Sequence, residues 1–205
     1  MTTRIADLPS QMRKHPRQSR SRATIEAILH AAAHILGERG LKGLTTNAVA
    51  EVAGVSIGSL YQYFPNKLAL IEGVRRRHFD DVRGILPTAA DVDRPQCERI
   101  TALVDGMIAV HARHPAAHRV LLEEAPRGDA SRPMHEAFEA DYLRVYEDLV
   151  ASATPDLSEA DVQIAAQVLS AAVAGVTHDA ARRGTLGTSQ LRKQLIRLMS
   201  RYLDV

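Results

Sequence analysis

Between Thr46 and Lys67 the chain concentrates side chains that can donate hydrogen bonds outward from short helices. They are the hydroxyls of Thr46, Ser56, Ser59, Tyr61 and Tyr63, the amides of Asn47 and Gln62, and the ammonium of Lys67. No base or acid is paired with any of them in the way that nucleophilic or acid–base catalysis needs. Their chemistry is recognition. A helix start presents unpaired N–H groups and partial positive charge, so starts at Thr46, Ser56 and Lys67 suit phosphate oxygens. The carboxamides of Asn47 and Gln62 suit an adenine edge, and Ile57 suits a thymine methyl. The run Ser56-Ile57-Gly58-Ser59 offers no arginine for a guanine.

Other reactive residue types give less. Of nine histidines, His111, His114 and His118 come nearest to metal-ligand spacing on a helix. Pro115 disfavours helical geometry at His114, and no cysteine or carboxylate completes the set, so no metal site is expected. The single Cys97 can make neither an intrachain disulfide nor a thiolate zinc site, which points to a reducing compartment. As a lone thiol it reads as a small hydrophobe, with oxidation sensing as the alternative. There are no paired carboxylates at a defined spacing and no glycine-rich phosphate loop. No catalytic residue, enzymatic activity or cofactor is therefore expected.

The elements that must carry the recognition residues are helices. Residues 1–21 hold Pro9, Pro16 and many Ser, Gln and Arg without an apolar period, the pattern of a basic flexible arm. Ile25, Ile28, Leu29, Ala32, Ile35 and Leu36 recur at helical spacing, predicting a helix over 22–38 stopped by Gly37 and Gly40. A threonine of Leu44-Thr45-Thr46 can cap a short helix ended by Gly54, and Ser56 caps another carrying Leu60 and Phe64. Two short helices across so tight a glycine turn make a helix-turn-helix. In this reading Val49, Val52, Leu60 and Phe64 turn inward while Thr46, Ser59, Tyr61, Tyr63 and Lys67 face out. Asn66 caps a longer helix to Leu86. Proline and glycine breaks then divide the rest into helices near 96–113, 115–123, 132–152, 158–182 and 188–203, with no strand-like alternation. The fold class is all-α with about nine helices.

The run from Gly43 to Lys67 resembles the DNA-binding signature of the TetR family of bacterial transcriptional regulators. It combines Leu44-Thr45-Thr46, Ala53-Gly54-Val55-Ser56, Leu60-Tyr61 with Phe64, and Pro65-Asn66-Lys67 at the family's spacing. The likeness extends from about Arg22 to Val74. It implies a three-helix DNA-binding domain at 22–67 and a larger helical effector-binding and dimerisation domain at 68–205. It further implies that Thr46, Tyr63 and Lys67 hold the phosphate backbone, and that Asn47, Ile57, Gly58, Tyr61 and Gln62 face bases or their flanks. Arg17, Arg20 and Arg22 would precede the first helix either as a minor-groove arm or as a solvated tail.

In the second half, small and apolar residues interleave over 158–182, and Leu191, Leu195, Leu198, Met199 and Leu203 repeat at helical spacing. The family pairs its last two helices with those of a second copy, which makes Val168, Ala172, Gly175, Leu191, Leu195 and Leu198 the expected homodimer interface. Met107, His111, Phe138, Tyr142, Tyr146 and His178 put aromatic and polar groups on otherwise apolar helical faces, and are the candidates to line a site for a small-molecule effector. The expected partners are an operator in double-stranded DNA, an effector of unread class and a second copy. The resulting function is a ligand-responsive repressor on a palindromic operator. A regulator acting as activator, and an all-α carrier or enzyme with an incidental helix-turn-helix, are the alternatives.

Charge supports the division. The net of +2 separates into twelve basic and six acidic side chains in residues 1–80, a net of +6, and fourteen against eighteen in 81–205, a net of −4. The phosphate-facing end is therefore the N-terminal one. No apolar segment follows the N-terminal arginines, and Ile164–Val176 is short for a bilayer span, so a cytoplasmic protein without a membrane segment is expected.

Overall fold

The computed structural model describes residues 19–121, 125–126 and 128–204. Ten α-helices form there, together with a single 3-10 turn at Asp129–Ser131, and no strand occurs among the described residues. The α-helices are α1 (Ser19–Gly43), α2 (Thr46–Ala53), α3 (Ile57–Tyr63), α4 (Lys67–Arg83), α5 (Leu86–Ala90), α6 (Gln96–Arg113), α7 (Pro115–Arg119), α8 (Arg132–Ala153), α9 (Glu159–Arg183) and α10 (Ser189–Tyr202). Nine of them correspond to the expected helices. The tenth is α5, which arises because Pro87 occupies a first-turn position, where a missing N–H costs nothing, and so starts a helix instead of merely following one.

Local signals explain the boundaries. Thr45 caps α2 by accepting from the Ala48 N–H at 3.1 Å, Ser56 caps α3 by accepting from the Ser59 N–H at 3.1 Å, and Asn66 accepts from the Ala69 N–H at 2.9 Å at the start of α4. Gly54 ends α2 at φ 66°, a left-handed conformation, and its N–H reaches the carbonyls of Ala50 and Glu51. The expected stop at Gly37 does not occur. Helical geometry passes through it, and the break comes at Gly40, at φ 62°. At the other end α1 begins at Ser19, so Arg20 and Arg22 belong to a helix rather than to an arm before it. Arg17 and the rest of residues 1–18 lie outside the described residues, as does the end of the helix expected to reach 123.

The described chain divides into two compact units. The first holds residues up to Arg77 and Ala116–Met134; the second holds His78–Pro115 and residues from His135 on. The first unit's core joins Ile25, Ile28, Leu29, Ile35 and Leu36 of α1 to Val49, Leu60, Phe64, Leu70 and Ile71, with Ala117, Val120 and Leu121 packed in. Burying the aliphatics of the two short helices α2 and α3 against those of α1 and α4 is what holds the helix-turn-helix rigid. Among the described residues of this unit, Arg75 and Glu72 are buried charged side chains, and they pair at 2.5 Å. Arg75 also donates to the carbonyls of Leu121 and Ala125 at 3.0 and 3.3 Å, and Glu72 accepts from the Gly128 N–H at 3.3 Å.

The second unit's core is built from Ile100, Leu103, Val104 and Met107 of α6, Tyr146 and Leu149 of α8, Leu169 and Val173 of α9, and Leu195, Met199 and Leu203. Arg99 is also buried here. It donates to the Ala89 carbonyl at 2.8 Å and the Ser152 hydroxyl at 3.2 Å, at the last turns of α5 and α8, where helix dipoles favour a cation.

Candidate nucleic-acid interface and effector site

The helix-turn-helix turns one side outward. Asn47, Ser56, Gly58 and Gln62 are exposed, Ile57 is 39% exposed and Tyr61 42% exposed. Their polar atoms are partly organised on one another. Thr46 Oγ1 and Tyr61 Oη lie 3.1 Å apart, bridging α2 and α3, and the hydroxyls of Ser56 and Ser59 lie 2.9 Å apart. Arg22 is exposed on the first turns of α1; the side chain of Arg20 lies outside the description.

Three placements differ from the sequence reading. Tyr63, expected to face out, is buried, only 8% exposed, because in the seven-residue α3 it shares the inward side with Leu60. Val52, expected inside, is 46% exposed, since Val49 and Ala50 already fill the inward side of α2. Lys67 is half-buried, and its ammonium donates to the Leu41 carbonyl, so it ties the end of α1 to the start of α4.

In the second unit the six expected effector residues fall on three helices: Met107 and His111 on α6, Phe138, Tyr142 and Tyr146 on α8, and His178 on α9. Five of their rings, with two from α4 that sequence reasoning missed, form an unbroken file. Tyr146 lies 5.0 Å from Tyr142, which lies 5.9 Å from Phe138, and Phe138 stacks on Phe79 at 4.0 Å with 6° between planes. His78 continues from Phe79 at 6.3 Å, His111 from His78 at 5.2 Å, and His178 from His111 at 5.5 Å. No short-range signal could have found His78 and Phe79, because their ring partners are distant in sequence and belong to other helices.

This file carries little charge at neutral pH. Burial lowers His78 to about 3, with the imidazoles of His111 and His178 adding to it. Burial likewise lowers His111 to about 4, against the hydrogen bond its Nδ1 makes to the Met107 carbonyl at 2.7 Å. A carbonyl only accepts, so Nδ1 of His111 carries the proton and Nε2 is left as the basic nitrogen. His78 and His111 each bring a ring nitrogen within 4.8 Å of the other's, a spacing that can share a ligand atom or a metal ion. The sequence had set His111 beside His114 and His118 along the chain; within this unit its ring meets His78 and His178. His114 does break the helix, at φ −144° and ψ 65°. Tyr142 and Tyr146 share a hydrogen bond at 2.9 Å, and burial pushes Tyr142 up to about 12 and Tyr146 well above its ordinary value.

The expected interface residues divide. Val168 is 52% exposed, Gly175 is exposed and Ala172 is half-buried on α9, and Leu198 is 39% exposed on α10. Leu195 is 2% exposed and Leu191 is half-buried against the core, so these two pack within their own unit. The repeat on α10 holds two stripes: 191, 195 and 199 turn in, while 198 turns out beside Tyr202, 41% exposed. Ile164 and Val176, 60% and 38% exposed, extend the apolar side of α9. By length and composition α9 is also the one helix among the described residues that could cross a membrane. Cys97, read from the sequence as a small hydrophobe, is exposed on the first turn of α6.

Residues 28–74 match the model of the bacterial regulatory proteins of the tetR family, and residues 95–203 match the tetracyclin repressor-like C-terminal domain. The chain belongs to the TetR family. The HTH-type transcriptional repressor KstR2 of Mycolicibacterium smegmatis is 33% identical over 100 residues, 48% of either chain. The nucleoid occlusion factor SlmA of Vibrio vulnificus is 30% identical over 97 residues, 47% of this chain and 50% of its own. The chain thus spans about half the length of the curated relatives it matches. A solved structure from Rhodococcus sp., described as a TetR-family transcriptional regulator, superposes with a TM-score of 0.68 at 26% identity over 89% of this chain and 99% of that one. The fatty acid degradation regulator FadR of Bacillus halodurans shares the TetR-family fold, with a TM-score of 0.72 at 16% identity over 93% and 96% of the two chains.

Proposed function

We propose that the chain is a DNA-binding transcriptional regulator, a repressor that holds a palindromic operator as a homodimer and leaves it when a small molecule binds the second unit. The observation that carries this is the outward side of α2 and α3, where Asn47, Ile57, Tyr61 and Gln62 stand exposed on helices locked from behind by Val49, Leu60 and Phe64. A rigid helix with short polar and apolar side chains in a row is what a major groove accepts. The basic N-terminal end adds sequence-independent attraction to phosphates.

Residues 22–67 are the reading head, and 68–205 bind effector and pair the copies. The exposed apolar residues Ile164, Val168, Val176, Leu198 and Tyr202 fit a second copy better than a bilayer. Acidic residues open α9 and Arg182 and Arg183 close it. Two copies related by a two-fold axis would set two reading heads one helical turn apart, about 34 Å, and an effector would act by changing that spacing. The file of rings from Tyr146 to His178 supports an effector with aromatic or extended apolar surface and few charges. A gel-shift titration of the full chain on the DNA flanking its own gene tests the reading. A discrete complex that survives competitor DNA is expected. Absence of any site-specific complex at low salt overturns it.

A further inference from the structure

We propose that Ile57 and Gly58 read a thymine: the Ile57 side chain packs on the 5-methyl group in the major groove, and Gly58 clears the backbone for that approach. The inference rests on the DNA-binding reading and deepens it, by naming the base chemistry that α3 selects.

The polar groups at the start of α3 are turned on one another. Ser56 Oγ accepts from the Ser59 N–H and shares a hydrogen bond with Ser59 Oγ at 2.9 Å, while Tyr61 Oη is engaged with Thr46 Oγ1 at 3.1 Å. What the first turn offers outward is thus an isoleucine, 39% exposed, beside a bare glycine. No Arg or Lys occurs in Ile57–Tyr63, so a guanine edge has no bidentate partner in this helix. In the major groove the 5-methyl of thymine is the apolar feature that an isoleucine can match.

Gly58 needs a reason of its own, because glycine weakens a helix relative to alanine and α3 is only seven residues long. Backbone conformation does not supply it: the positive-φ glycines are Gly40, Gly54 and Gly184. Crowding within the chain does not supply it either. A Cβ on Gly58 would meet only Ser56 Oγ, at 3.9 Å, whereas one on Gly73 would strike Leu29 and Phe64 at 2.8 Å. The fold tolerates a side chain at 58. The open space at 58 leaves room for a partner to come closer to the backbone than a methyl group permits.

The test uses the duplex that the full chain selects from a random-sequence pool, resynthesised with deoxyuridine at each thymine in turn, which deletes one methyl and keeps the base pair. Binding by fluorescence anisotropy is expected to weaken about three- to tenfold at one position per half-site. Ile57→Ala should make that position indifferent to the methyl. Gly58→Ala should leave thermal unfolding unchanged or raised while weakening binding to the selected duplex by about tenfold or more. Selective binding with a flat deoxyuridine scan, or an Ile57→Ala variant that keeps the methyl sensitivity, overturns the proposal alone. A Gly58→Ala variant that binds as well as the parent removes the close approach. If no sequence is selected, the regulator reading falls and this proposal with it.

Discussion

Arg75 lies with its Nη1 2.5 Å from Oε1 of Glu72, one turn earlier on α4, and both side chains are buried in the first unit. The pair is a clasp. Arg75 reaches the carbonyls of Leu121 and Ala125, and Glu72 takes the Gly128 N–H, so a segment distant in sequence is fastened beside the helix that follows the reading head. Breaking a buried pair from one side leaves a desolvated charge and costs about 3–5 kcal/mol, more than most single changes. Glu72→Ala should therefore lower the unfolding temperature by roughly 6–20 °C for a chain of this size. Glu72→Gln, which keeps the acceptor carbonyl, should cost markedly less. Thermal unfolding by circular dichroism measures both, and equal losses for the two variants would speak against the clasp.

Acidification should destabilise the second unit. His78 and His111 are held at about 3 and about 4 when folded and return to 6.5 when unfolded, so the unfolded chain binds more protons below 6.5. Their contribution is complete above pH 6.5 and is lost as pH falls toward 4. At pH 5.5 each should have given up on the order of 1 kcal/mol. Urea unfolding at pH 7.5 and 5.5 measures the loss, and His111→Gln should flatten its share of the pH dependence.

The outward stripe of the last two helices predicts opposite results for neighbouring leucines. Leu198→Asp, or Val168→Asp on α9, should give a helical monomer in analytical ultracentrifugation, because each places a charge on the exposed side. Leu195→Asp should lose the fold instead, since Leu195 is 2% exposed and a carboxylate there would be buried without a partner. A parent chain that sediments as a monomer removes the proposed interface.

Much of the fold was legible because its signals are local. Thr45, Ser56, Asn66, Ser158 and Thr188 cap the helices they precede, and Gly54 turns α2 toward α3, all within a few residues. The side of a short helix was harder to read. Tyr63 and Val52 exchanged the places that polarity suggests, because one residue of offset in a two-turn helix decides which side chain meets α1. The same ambiguity separates Leu195 from Leu198, adjacent stripes that a single apolar repeat merges. Contacts between distant segments left no mark at all. The Phe79–Phe138 stack and the carbonyl partners of Arg75 depend on how helices assemble, which spacing along one helix does not encode.

Whether the outward side of α2 and α3 reads DNA is measured by competitive binding of the full chain. Labelled duplex selected from the random pool is titrated against the same duplex with its sequence scrambled, at several salt concentrations. A preference of at least about 10³-fold for the selected sequence is expected. Affinity should fall for both duplexes as salt rises, and Gln62→Ala or Asn47→Ala should reduce the preference while the salt dependence persists. Equal affinity for the two duplexes, or no binding to either at low salt, would contradict it.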